Sequence, residues 1–179
     1  MKNDILEQAL QLSEEILSNI ELNQISLSNI VLKTSRLARL LDDFENQKIF
    51  QYEASGYPTT PNGINPEIFS LLQKAKRTYL KKDKKDKVEE YAHWKSIEQY
   101  ENELLSAKES IAVSKDADVS ISSSNPYQNV YAPMGNTLER KSLRDLISDN
   151  SELIASRKSY IYDYVLEKNY ELKYSKLNN

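Results

Sequence analysis

Few residues in this chain are equipped for chemistry. His93 is the only histidine, and it precedes Trp94, the only tryptophan. One histidine cannot build a multi-histidine metal site, and a Ser-His-Asp arrangement around it would need partners from distant parts of the chain. Asp42 with Asp43, and Glu89 with Glu90, are adjacent pairs. Adjacent residues do not share a helix face, so capping and solvation explain these carboxylates better than acid–base work. The three glycines, Gly56, Gly63 and Gly135, are scattered, which excludes a Gly-rich phosphate loop. The absence of cysteine removes disulfides, thiolate metal sites and cysteine nucleophiles together. The expectation is a protein that is not an enzyme and uses no metal or cofactor, since a hydrolase or nuclease would lack its acid–base pair.

The strongest remaining signal is charge. Between Lys74 and Lys87 the run "KAKRTYLKKDKKDK" sets Lys74, Lys76, Arg77, Lys81, Lys82, Lys84, Lys85 and Lys87 against Asp83 and Asp86, a local excess of six positive charges. The whole chain carries a net charge of -3, so the rest of it is strongly acidic. Tyr79 lies inside the run, and Tyr91, His93 and Trp94 follow it. Basic side chains interleaved with rings can hold phosphates and stack bases. Arg36 and Arg39 form a second basic pair, three residues apart on one helix. Nucleic-acid binding through Arg36, Arg39 and the 74–87 run is therefore one expectation. The competing one is a solvated surface. Twelve tyrosines beside three phenylalanines suit half-buried contact surfaces, Tyr160, Tyr162, Tyr164, Tyr170 and Tyr174 above all.

These residues need elements to position them. Ile5, Leu6, Ala9, Leu12, Ile16, Leu17 and Ile20 recur at helical spacing, as do Leu27, Ile30, Val31, Thr34, Leu37, Ala38 and Leu41 after a start capped by Ser26 or Ser28. A short break between the two predicts an antiparallel helix hairpin. Asp42 or Asp43 can cap a short helix through "FENQKIFQYEAS", which Gly56 and Pro58 would close. Tyr57 follows that stop with a ring free to anchor the loop, so it is expected to be buried. Asn65 and Pro66 open a helix expected to reach Tyr79 and to lead into the basic run, with further helix from Val88 to Ile111. Residues 113–136 are rich in Ser, Asn and Pro and read as a long loop with room for a small strand element after residue 113. A capping box of Asn136 and Glu139 opens a helix to about Ile147, and a last helix starts near Ser151 before "NYELKYS" alternates like a strand.

At 179 residues the chain is expected to fold as one mainly α, bundle-like domain. Acidic residues interrupt any apolar core at its N-terminus, and no stretch approaches a membrane span, so a cytoplasmic location and no membrane contact are expected.

The stretch "ISLSNIVLKTSRLARLLDDFENQKIFQYEASGYP" resembles the AbiTii domain of bacterial abortive-infection proteins. The likeness rests on Ser26, Leu27, Ser28, Arg36, Leu37, Ala38, Leu41, Asp42, Asp43, Glu53, Gly56, Tyr57 and Pro58. Weaker likeness continues through "SIEQYENELL" and "SRKSYIYDYVLEKNYEL", while Ala54 and Ser55 stand where the family commonly has Leu-Asn. The resemblance implies anti-phage defence and brings no catalytic residue. Such domains often precede another, so it fits either a standalone member or an N-terminal portion of a longer protein. Combined with the residues above, it points to a non-enzymatic sensing or protein-interaction module that engages a protein partner or a second copy of itself.

Overall fold

The computed structural model describes residues 2–82, 86–113 and 134–177. The protein is mainly α. Its elements are α1 (Lys2–Glu21), α2 (Leu27–Leu40), α3 (Phe44–Ser55), α4 (Pro66–Lys74), β1 (Thr78–Lys82), β2 (Val88–Ala92), α5 (Ile97–Val113) and α6 (Met134–Leu177). They form two compact units, one of residues 1–99 with 155–179 and one of residues 100–154.

In the first unit α1 and α2 make the expected hairpin, whose apolar stripes meet through Ala9, Ile16, Ile20, Leu27, Ile30, Val31 and Leu37, all buried. The C-terminal part of α6 runs antiparallel along α1. Its Tyr162 hydroxyl donates to Glu21 at 2.9 Å, its Asn169 amide donates to Ser13 Oγ at 2.9 Å, and its Lys173 pairs with Glu14 at 3.2 Å. Phe50 of α3 packs against Tyr164, with ring centroids 4.9 Å apart, and Tyr164 donates its hydroxyl to Asp43 at 3.1 Å. In the second unit Ala107 is buried, and Asn150 donates to Glu103 at 3.4 Å between α5 and α6.

Three helices end in the same way. Asn23, Asp42 and Lys76 adopt φ of 49°, 56° and 55°. After α2, Asp43 N–H bonds back to Ala38 at 2.9 Å and Asp42 N–H to Arg39 at 3.3 Å; after α4, Arg77 N–H bonds to Leu72 at 2.8 Å and Lys76 N–H to Gln73 at 2.9 Å. This is the Schellman pattern, in which a left-handed residue turns the chain so that orphan carbonyls are satisfied. Asp43 then caps α3 by accepting from Asn46 N–H.

Several expectations are corrected. The fourth helix stops at Lys74, and residues 78–82 and 88–92 form an antiparallel ribbon that pairs Tyr79 with Tyr91 and Lys81 with Glu89. β-formers at Thr78, Tyr79, Val88 and Tyr91 outweigh the helix-favouring lysines between them. The strands thus precede residue 113. The strand element and loop expected at 113–136 fall almost wholly on residues 114–133, outside the described residues. The two expected C-terminal helices are one helix, and "NYELKYS" is its last turns: Leu172 is buried while Tyr170 and Tyr174 face solvent. Gly56 closes α3 at φ 90° and ψ 151°, a glycine-only extended region and not the left-handed helical one.

Candidate binding surfaces and a buried charge cluster

Two titratable residues of the shared stretch, Glu53 and Tyr57, are turned inward, whereas Asp42 and Glu45 face solvent. Glu53, in the last turn of α3, and Arg77, just past the Schellman turn of α4, are both 0% exposed. Arg77 grips the carboxylate with two parallel bonds, Nε to Oε1 at 2.6 Å and Nη2 to Oε2 at 2.5 Å. Its Nη1 donates to the carbonyls of His93 at 2.8 Å and Lys95 at 2.7 Å. Tyr57, 3% exposed as expected of it, donates its hydroxyl to Glu53 Oε1 at 3.0 Å, and its N–H donates to the Trp94 carbonyl at 2.8 Å. The Arg77 guanidinium lies 5.4 Å from the centre of the Tyr57 ring.

A second guanidinium completes the cluster. Arg157 of α6 stands 3.6 Å from Glu53 and donates to the carbonyls of Ala75, at 2.5 Å, and Lys76, at 2.9 Å. A cation thereby satisfies the carbonyls of the cap and turn just past the end of α4, where the helix dipole favours positive charge. Burial lowers the Arg157 pKa, and Glu53 raises it in opposition. Burial drives the Tyr57 hydroxyl well above its ordinary value, reinforced by the charge of Glu53, and pushes Tyr160 up to about 12 for the same two reasons. One carboxylate between two guanidiniums, sealed from water, is a fastening between α3, α4, α6 and the segment after β2.

Arg77 therefore leaves the expected nucleic-acid set, because its guanidinium is spent inside the protein. The rest of the basic run is partly neutralised. Lys74 pairs with Glu45, and Lys87 with Glu89 at 3.6 Å. Lys76, Lys81 and Lys82 are exposed, and Lys84 and Lys85 lie outside the described residues. The ribbon does gather rings on one face: Tyr79 stacks on Tyr91 with centroids 5.9 Å apart and meets His93 at a tilt with centroids 4.5 Å apart, and Lys81 lies 6.0 Å from the Tyr91 ring centre. Its other face exposes Leu80, 72%, and Val88, 52%.

Arg36 and Arg39 are placed elsewhere. They line a cleft of about 540 Å³ between α2 and α3, with Leu32, Gln47, Gln51 and Glu98 among its walls. Neither arginine has an ion-pair partner among the described residues. Within the shared stretch Ser26 caps α2, Leu27, Leu37 and Ala38 are buried, and Pro58 is exposed. Sequence reasoning missed the role of Arg157 on the last helix. A charged residue in line with Ile154 and Ile161 was the available signal.

No helix among the described residues is long and apolar enough to cross a membrane. A family model, AbiTii, matches residues 11–178. No curated protein and no solved structure matches the chain.

Proposed function

Because this chain belongs to the AbiTii family, which links it to abortive-infection defence against phage, we propose that it serves there as a non-enzymatic, cytoplasmic interaction module that engages a protein partner or a second copy through the β1–β2 ribbon. The observation that carries this reading is the exposure of large apolar side chains on so small an element. Leu80 and Val88 occupy one face, Tyr79 and Tyr91 the other, and Trp94 follows, all open to solvent. No third strand covers either edge of the ribbon among the described residues. An apolar patch beside unpaired backbone groups is a template for an added strand. The burial of Glu53, Arg77 and Tyr57 agrees with a scaffold role for the shared stretch.

A second reading, single-stranded nucleic acid on the Tyr79, Tyr91 and His93 cluster, is favoured by those rings and by Lys81. One pair of variants separates the two. Leu80→Lys with Val88→Lys should abolish phage protection in cells, and any association seen by light scattering, while leaving the melting temperature within a few degrees; full protection by this folded variant would overturn the ribbon as a protein contact. Lys→Glu changes at Lys81, Lys82, Lys84 and Lys85 should weaken a salt-sensitive nucleic-acid affinity under the second reading, and no binding at low salt defeats it.

A further inference from the structure

The α2–α3 cleft holds side chains that the ribbon reading does not use. We propose that it is a binding site for a nucleoside phosphate. α2 and α3 are joined by three residues and lie side by side, so their facing side chains form a track open to solvent. Leu32, Arg36 and Arg39 fall on one face of α2 at helical spacing, opposite Gln47 and Gln51 of α3. From Leu32 to Arg39 the helix rises about 10 Å, the length of a small nucleotide.

The track is polarised. Arg39 and Arg36, one turn apart, lie toward the end near the α2–α3 turn, and their forks suit the oxygens of one or two linked phosphates. No carboxylate among the described residues neutralises either of them, whereas Lys33, on another side of the same helix, pairs with Glu15 at 2.6 Å. Leu32, 57% exposed, offers an apolar wall that matches the face of a base. The Gln47 and Gln51 amides each supply donors and an acceptor, the pairing needed at a base edge. Glu98 adds one acceptor to the lining, suited to a base amino group or a sugar hydroxyl, and its charge disfavours a polyphosphate filling the whole track. A volume of about 540 Å³ lies within the range of small-molecule sites.

Titration calorimetry on the full chain at low salt tests this, with ADP, GDP, CDP and UDP as probes and adenosine, inorganic phosphate and tripolyphosphate as controls. At least one nucleoside diphosphate should bind saturably, one per chain, at least tenfold tighter than any control. Arg36→Gln with Arg39→Gln should weaken it at least tenfold without moving the melting temperature of the unliganded protein, since both side chains are exposed. Leu32→Glu, which leaves both arginines in place, should do the same. Three results would overturn the assignment: no diphosphate binding at millimolar concentration, binding undiminished in a folded double variant, or tripolyphosphate binding as tightly as the diphosphates.

Discussion

Two sets of arginines on neighbouring elements have opposite fates. Arg77 and Arg157 are sealed around Glu53, with ring and carbonyl partners on the remaining sides. Arg36 and Arg39 stand in an open cleft with no ion-pair partner among the described residues. A guanidinium removed from water is tolerated only when its charge and most of its donors are matched, and of this pair Arg157 Nε lacks a partner among the described residues, so the buried pair is committed to architecture. A guanidinium left in water is free to exchange solvent for a ligand. Charge alone does not separate the two. What separates them is how many partners the surrounding backbone brings within reach.

The sharpest way to break this contrast is Glu53→Gln. It keeps the shape but leaves two buried guanidiniums without their counter-ion, and is expected to cost about 3–5 kcal/mol in urea unfolding. A loss below about 1 kcal/mol would show that water already reaches the cluster. Tyr57→Phe removes only the hydroxyl that donates to Glu53 and should cost about 1–2 kcal/mol, whereas Tyr57→Ala also opens a cavity and should cost stability before it costs activity. Equal losses from the two variants would mean that the hydrogen bond, and not the ring, anchors the loop.

The smallest effect at neutral pH concerns the tyrosines. Tyr57, Tyr160 and Tyr164 all have raised pKa values in the folded protein, chiefly from burial. The unfolded chain then releases protons first, from about pH 10. Their contribution is whole below that point and falls as pH rises, over about two units for Tyr160, whose folded value is about 12. Stability followed from pH 8 to pH 12 should decline above pH 10, and Tyr160→Phe should flatten part of that slope; an unchanged slope would show that the ring meets water in solution.

Much of this architecture was legible wherever a local chemical signal existed. Ser26, Asp43 and Asn65 cap helices because their side chains accept an orphan N–H, and Pro66 sits at a first turn where no donor is needed. The α1–α2 hairpin followed from two apolar stripes of one period. The end of α4 was not legible, since Lys76 takes the left-handed position that glycine usually marks. The ribbon was hidden because neither β1, "TYLKK", nor β2, "VEEYA", alternates apolar with polar residues, which hides the period of two. In the site, Glu53 stood in the shared stretch and Arg77 in the basic run. Their pairing spans 24 positions, and no local pattern encodes it.

Lys76 makes no contact with Glu53, yet its backbone decides where Arg77 goes. The turn it forms is built from bonds no more than five residues long, complete before any distant partner arrives. Its product is a guanidinium aimed at a carboxylate on another helix. A short-range clasp thus prepays the ordering that a long-range ion pair would otherwise need at the moment both charges lose water. Folding can then bring α3 and α4 together as two finished halves of a lock.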